Sequence, residues 1–305
     1  MSTPLDTNVR YLTDSGLETT LVFHDGRDLP AFAAFVLLDD VRGRARLDAY
    51  YREHADVAKR HGMGFIFEAP TWRSNPDWGR EVGYNAAALD RINCEAIDFL
   101  RRIELDYRAT PTLVSGQIGP RGDGYKAGEM MMAGEAATYH VRQIAAFSKA
   151  DMVTALTMTY VDEAVGIALA AENAQMPVVI SFTTETDGRL PSGQPLGEAI
   201  EECDARTDGY VAYYMVNCAH PEHFAQALDG SFAARIRGLR ANASCLSHAE
   251  LDAAETLDIG DPPALGAHYR ALTQALPELT VFGGCCGTDI RHIHHIVSEL
   301  SPVAC

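Results

Sequence analysis

The sequence predicts an α/β fold, a single (β/α)8 TIM barrel occupying residues 1–305 with short terminal tails. Short β-type runs alternate with longer helical ones, which implies a parallel sheet with helical crossovers. The alternation repeats eight times along the chain, the count that closes a barrel. Composition does not shift enough to mark a domain boundary. An open doubly wound sheet is the alternative, but it usually has fewer strands, and neither usual phosphate-binding glycine fingerprint is present.

The first strand is Arg10-Tyr11-Leu12-Thr13, ending at Asp14, and a helix follows over Val41–His61. Gly64-Phe65-Ile66-Phe67 is the second strand, ending at Glu68-Ala69, with a helix near Asn85–Glu104. The third strand, Pro111–Ser115, ends at Gln117 and leads to a helix over Gly134–Lys149. The fourth, Met152–Leu156, ends at Thr157 before a helix over Val161–Ala174. The fifth, Pro177–Phe182, ends at Thr183; the link Gly188-Arg189-Leu190-Pro191-Ser192-Gly193 joins it to a helix near Leu196–Ala205. Tyr210–Val216 is the sixth strand, ending at Asn217-Cys218, with a helix near Pro221–Leu228. Ile236–Ala241 is the seventh, ending at Asn242, with a helix near Pro263–Leu276. Leu279–Phe282 is the eighth, and the last helix, capped by Thr288 or Asp289, runs to Leu300. In barrel enzymes the strands' C-terminal ends share one rim, and the active site lies there.

Of 305 residues, 47% are hydrophobic and 22% charged, as in a soluble globular protein. No apolar run is long enough to span a membrane. Met1-Ser2-Thr3-Pro4-Leu5-Asp6 lacks the basic start and apolar stretch of a signal peptide, so the cytoplasm is expected. The net charge of −17, with no basic cluster, excludes nucleic acid and an anionic membrane as partners. A homo-oligomer is compatible with all of this.

There are seven cysteines, an odd number unevenly spaced, which argues against a disulfide framework. Cys94, Cys203 and Cys245 are expected as core filler or surface residues, and the terminal Cys305 as mobile. Cys285 and Cys286 differ: they sit in Gly283-Gly284-Cys285-Cys286-Gly287-Thr288, directly after the eighth strand. Glycines on both sides permit unusual backbone conformations and close approach of a ligand. Cys218 follows the sixth strand in Val216-Asn217-Cys218-Ala219-His220-Pro221.

Three thiolates on one rim suit a zinc ion with one place left open. His220 or His223 would instead complete a closed structural site, although Pro221 starts a helix that carries His223 away. An ion bound by three thiolates is too electron-rich to polarise carbonyls well. It is better suited to binding one more thiol, lowering its pKa and leaving the sulfur nucleophilic. The natural electrophile is a methyl group on a positively charged sulfur or nitrogen. Trp72, Tyr160 or Phe23 would face such an onium group through cation–π attraction. The histidines of Arg291-His292-Ile293-His294-His295 are read as surface or packing residues, since helical spacing separates His294 from the other two. Met130-Met131-Met132 is read as loop or packing.

These residues resemble the homocysteine S-methyltransferase family, which includes betaine–homocysteine methyltransferase, the S-methylmethionine-dependent enzymes and the homocysteine domain of cobalamin-dependent methionine synthase. The resemblance covers essentially the whole chain. Asn217-Cys218 and Gly283–Thr288 are its most specific parts. Thr13-Asp14-Ser15-Gly16-Leu17, Ile118-Gly119-Pro120, and Ile180-Ser181-Phe182 followed by Asp187-Gly188 support it. It implies a zinc-dependent barrel in which Cys218, Cys285 and Cys286 bind Zn²⁺ and carry the catalysis, while Asp14 helps hold the amino-acid part of a thiol substrate.

The chain departs from the family at three places. Ser15-Gly16 stands where two glycines usually follow the aspartate. Leu156-Thr157 stands where a Glu-Thr pair usually supplies an acid for the substrate ammonium, so Glu18 or Glu68 is expected to substitute. Ala69-Pro70-Thr71-Trp72 differs from the common form after the second strand. Asp14, Glu18, Glu68, Thr157 and Asn217 are the expected substrate-binding residues. The expected function is zinc-dependent methyl transfer from a free sulfonium or betaine-type donor to homocysteine, giving methionine. A different thiol or selenol acceptor, and a non-enzymatic zinc- or thiol-binding role, are the alternatives.

Overall fold

A computed structural model describes residues 3–6 and 8–300, so Met1, Ser2 and Cys305 lie outside the described residues. Its strands are β1 Tyr11–Leu12, β2 Gly64–Glu68, β3 Thr112–Ile118, β4 Met152–Met158, β5 Val178–Phe182, β6 Tyr213–Asn217, β7 Ile236–Ala241 and β8 Val281–Gly284. They form a closed barrel in chain order. The seam is made by β8 pairing in parallel with β1, Tyr11 opposite Val281 and Leu12 opposite Phe282. Closure excludes the doubly wound alternative, because no sheet edge is left open.

The seam explains why β8 runs on into glycine. A Cβ on Gly283 would collide with Thr13 Oγ1 and stand 2.9 Å from the Asp14 carbonyl. Any side chain there would push β1 and β8 apart. The eighth strand therefore carries the glycines inside it, rather than beyond it as the sequence suggests.

Strand side chains alternate between the barrel interior and the helical layer. Ile66, Met152, Val179, Tyr213, Met215 and Val281 form an apolar plug inside the barrel. The next inward positions towards the C-terminal rim are polar and buried: Glu68, Thr154, Ser181, Asn217 and Arg240. A larger apolar cluster, including Phe65, Phe67, Tyr51, Tyr214 and Phe282, fills the space between sheet and helices. The interior is thus apolar at one end and polar where the chemistry is expected.

The long helices follow the predicted pattern. Val41–Arg60 is capped by Asp40, whose carboxylate accepts from Gly43 N at 2.7 Å. Ala86–Glu104 is capped by Asn85 in the same way. Asp289, not Thr288, caps the last helix: its Oδ1 accepts from Arg291 N at 2.9 Å, while Thr288 Oγ1 donates to the Cys285 carbonyl at 2.6 Å. Short helices at Leu17–Thr19, Pro76–Glu81 and His248–Ala253 are additional to the predicted set. One or two turns carry too few residues to show a helical period. Among the described residues, no helix is long and apolar enough to cross a membrane.

Candidate metal centre and substrate clefts

β6 and β8 are separated only by β7, so the residues that follow them meet on the rim. The ligand atoms of Cys218, Cys285 and Cys286 all lie within 4.8 Å of one another. Cys218 adopts a left-handed conformation, φ 52°, which costs a non-glycine residue of order 1–3 kcal/mol. Its carbonyl is gripped by three donors: His248 Nε2 at 2.9 Å, Asn242 Nδ2 at 3.1 Å and Thr183 Oγ1 at 3.3 Å. These bonds hold the turn that aims the thiol inward. Gly287 provides the matching turn after the cysteine pair at φ 78°, where a side chain would meet the Asp258 carbonyl.

One expectation is corrected. Cys218 and Cys285 are joined as a disulfide, with Cα atoms 5.4 Å apart, although the cysteine pattern argues against disulfides. The fold places residues distant in sequence at neighbouring strand ends, within bridging range, and no count of cysteines reveals that. Cys286 remains a free thiol, with Sγ 3.9 Å from Cys218 Sγ. Burial pushes its pKa up, against a hydrogen bond from the Tyr125 hydroxyl.

The sulfurs fit zinc once the bridged pair is reduced. Two thiolates each about 2.3 Å from a tetrahedral ion stand roughly 3.8 Å apart, close to the 3.9 Å between Cys218 and Cys286. Neither nearby histidine joins them. His220 Nδ1 accepts from Glu222 N at 3.3 Å, and His223 Nε2 bonds the Cys245 carbonyl at 2.9 Å. His292 is buried against Asp289 and the Ile259 carbonyl. The trio is therefore the only candidate ligand group among the described residues.

Two cavities meet at the sulfurs. The smaller, about 60 Å³, lies over all three cysteines and is walled by Glu18, Gln117, Leu156, Thr157, Asn217 and Arg240. The larger, about 400 Å³, opens outward from Cys218 and Cys286 and is walled by Phe23, Phe32, Trp72, Arg73 and Tyr125. Of the aromatics expected near an onium group, Trp72 and Phe23 line it. Tyr160 does not; its hydroxyl accepts from Met131 N at 3.0 Å.

The expected substrate residues divide. Glu18 reaches the small cavity, and burial pushes its carboxyl up to about 7, with the Asp14 charge adding to the rise. Thr157 also lines it, in a left-handed conformation at φ 63°. Asn217 holds that conformation: its Oδ1 accepts from Thr157 N at 2.8 Å, and its Nδ2 donates to Thr157 Oγ1 at 2.8 Å. Ser181 Oγ also donates to Asn217 Oδ1, so this amide is largely committed to the protein. Asp14 and Glu68 do not line the small cavity. Asp14 is turned onto Arg240, whose Nη2 lies 2.7 Å from its carboxylate. Glu68 lies on the inward face of β2, where burial raises its pKa to about 7 against the nearby Arg240 charge.

Sequence reading missed Arg240, Arg73, Tyr125 and His248. Arg240 had a faint signal, a charge inside an apolar strand, but Arg237 in the same strand carries the same signal and faces the surface. Tyr125 and Arg73 sit outside helices and strands, and His248 opens a helix of six residues, too short to show a period. Tyr125 stacks on His248 with ring centroids 4.1 Å apart, a contact between segments far apart in sequence.

A comparison with curated proteins gives no significant match. Solved structures of the homocysteine methyltransferase MmuM from Escherichia coli share the fold. The oxidized form is 17% identical with a TM-score of 0.75, covering 96% of each chain. The metallated form is 18% identical with a TM-score of 0.73, covering 95% of this chain and 96% of that one. The family model described as homocysteine S-methyltransferase matches residues 14–300, from the aspartate after β1 to the end of the last described helix. The chain therefore belongs to the homocysteine S-methyltransferase family and is a methyltransferase.

Proposed function

We propose that this protein moves a methyl group from a sulfonium or betaine-type donor to homocysteine, giving methionine, with Zn²⁺ held by reduced Cys218, Cys285 and Cys286. The single observation carrying this reading is the convergence of three sulfurs within 4.8 Å at the junction of a small and a large cavity. When bound there, zinc would supply a positive charge that favours the thiolate form of the acceptor.

The small cavity takes the acceptor and the large one the donor. The acceptor thiol gives up its proton to solvent, and its sulfur lone pair forms the new C–S bond. The bond from the methyl carbon to the donor's charged sulfur or nitrogen breaks, and the donor leaves with that electron pair as a neutral centre. The chain's contribution is alignment along one line. Glu18 faces the acceptor's ammonium in place of the acid missing at Leu156. The three cysteines must be reduced, which suits the cytoplasm. Residues 1–305 are read as one homocysteine-binding-type barrel domain with short terminal tails.

A different thiol or selenol acceptor is favoured by one observation: Asp14, the family's substrate carboxylate, is already paired with Arg240. Zinc analysis of the reduced protein, coupled to methyl transfer from several donors to a panel of thiols, tests both readings. About one zinc per chain and methionine formation are expected. Turnover of another thiol without homocysteine turnover decides for the second reading. Zinc that no thiol displaces, without transfer, supports a non-enzymatic role.

A further inference from the structure

Arg73 is buried, with 7% of its surface exposed, yet it lines the larger cleft. Its guanidinium lies between two indole rings, 4.0 Å from the centroid of Trp72 and 3.8 Å from that of Trp78. Nη1 donates to the Gly122 carbonyl at 3.0 Å, and Nε has no hydrogen-bond partner. Arg240, by contrast, has Asp14 at 2.7 Å; among the described residues no carboxylate stands within ion-pair distance of Arg73. Burial lowers its pKa to about 10, and the more distant charges of Asp123 and Glu18 recover only part of the loss.

A desolvated cation without a counter-ion is costly. Stacking against two indoles offsets part of that cost and fixes the plane of the guanidinium. It does not complete the hydrogen bonds of the fork. A rigid guanidinium with open donors matches a carboxylate, which it can bind through two parallel bonds. The same cleft carries Asp123, Asp252 and Asp258. Those acids disfavour a polyanion such as phosphate. One cation among several carboxylates instead fits a zwitterion, with one carboxylate and at least one cationic centre.

We propose that Arg73 reads the carboxylate of the methyl donor, an amino-acid-type onium zwitterion whose methyl-bearing centre faces Cys218 and Cys286. This rests on the methyl-transfer reading above. It adds that donors lacking a carboxylate are poor ligands, and that Arg73 rather than the aromatic wall makes the distinction.

The chain's two tryptophans are the two that flank Arg73, so intrinsic fluorescence reports on this place without zinc or turnover. Reduced wild-type protein is titrated with S-methylmethionine and glycine betaine, and separately with trimethylsulfonium and tetramethylammonium, which lack the carboxylate. At least one carboxylate-bearing onium is expected to bind about 10–100-fold more tightly than its carboxylate-free counterpart. Arg73→Gln is expected to abolish that preference and Arg73→Lys to keep part of it. In turnover, Arg73→Gln raises the donor KM while leaving the homocysteine KM near its wild-type value.

Equal wild-type binding of the two onium classes overturns the proposal, and needs no variant to fold. A preference that survives in well-folded Arg73→Gln overturns it as well. A fluorescence response to homocysteine alone, with the oniums silent, removes Arg73 from the donor side. Selective binding of carboxylate-bearing oniums without methyl transfer to any thiol supports the Arg73 assignment while defeating the methyl-transfer reading. Transfer with unaltered donor selectivity in Arg73→Gln does the reverse.

Discussion

Asp14 and Arg240 meet at 2.7 Å inside the barrel, one following β1 and the other near the end of β7. Both are almost completely buried. Burial disfavours the guanidinium charge, but Asp14 and then Glu68 outweigh it, so Arg240 is held above its ordinary range. Arg240 also donates from Nε to the Gly284 carbonyl at 3.1 Å. One side chain therefore ties β1, β7 and β8 together directly beneath the sulfurs.

Removing one partner of such a pair leaves an uncompensated buried charge, at a cost of about 3–5 kcal/mol. Arg240→Met is expected to lose stability of that order in denaturant unfolding. The double variant Arg240→Met, Asp14→Leu is expected to lose clearly less. Equal losses in single and double variants would show that the two charges are not coupled.

Glu68 carries a pH dependence whose sign is fixed. Its folded pKa is about 7, above the ordinary value of 4.5. Between those values the folded state holds a proton that the unfolded state has released. Stability therefore falls as pH rises through this window. Glu68→Gln removes the effect, so its unfolding free energy is expected to decline less between pH 4.5 and 7. By pH 8 the decline that Glu68→Gln avoids is on the order of 3 kcal/mol. Parallel pH profiles for the two proteins would refute this.

Ser15 replaces a usual glycine of the family, and its hydroxyl is 2.8 Å from His54 Nε2. His54 Nδ1 lies 2.8 Å from the Tyr50 carbonyl. A carbonyl only accepts, so Nδ1 carries the proton and Nε2 accepts from Ser15. Ser15→Ala strands a buried acceptor next to the backbone of Asp14. Thermal or chemical unfolding should record a loss of about 1–3 kcal/mol. A neutral substitution would mean that water fills the place.

Cys285→Ser tests the proposed metal centre. Second-shell changes alone weaken metal binding by about 10–100-fold, and loss of one of three thiolates is expected to exceed that. Zinc per chain in the reduced protein should fall well below one, with methyl transfer lost in parallel. Full zinc content with retained activity would remove Cys285 from the ligand set.

The barrel was legible because its signals are local. Each apolar run and each long amphipathic stretch announces one strand or helix, as at Ile236–Ala241 and Val41–Arg60. The convergence of three sulfurs was legible for a related reason: Cys218 and Cys285-Cys286 mark strand ends, and the topology of a barrel gathers strand ends on one rim. The disposition of the expected substrate residues was not. Spacing cannot tell that Glu18 reaches the small cavity while Glu68 points into the barrel beneath it, nor that the Cys218 and Cys285 sulfurs come within bonding distance.

By itself, then, the sequence determined the alternation of elements, the closed parallel architecture and the identity of the three sulfur residues. Tertiary structure alone decided which charges are paired. Arg240 meets Asp14 because β7 and β1 flank β8, and Arg73 is sandwiched by Trp72 and Trp78 because the chain turns sharply between them. Pairing of buried charges depends on distances across the barrel, and those distances are set by closure and side-chain direction rather than by separation along the chain.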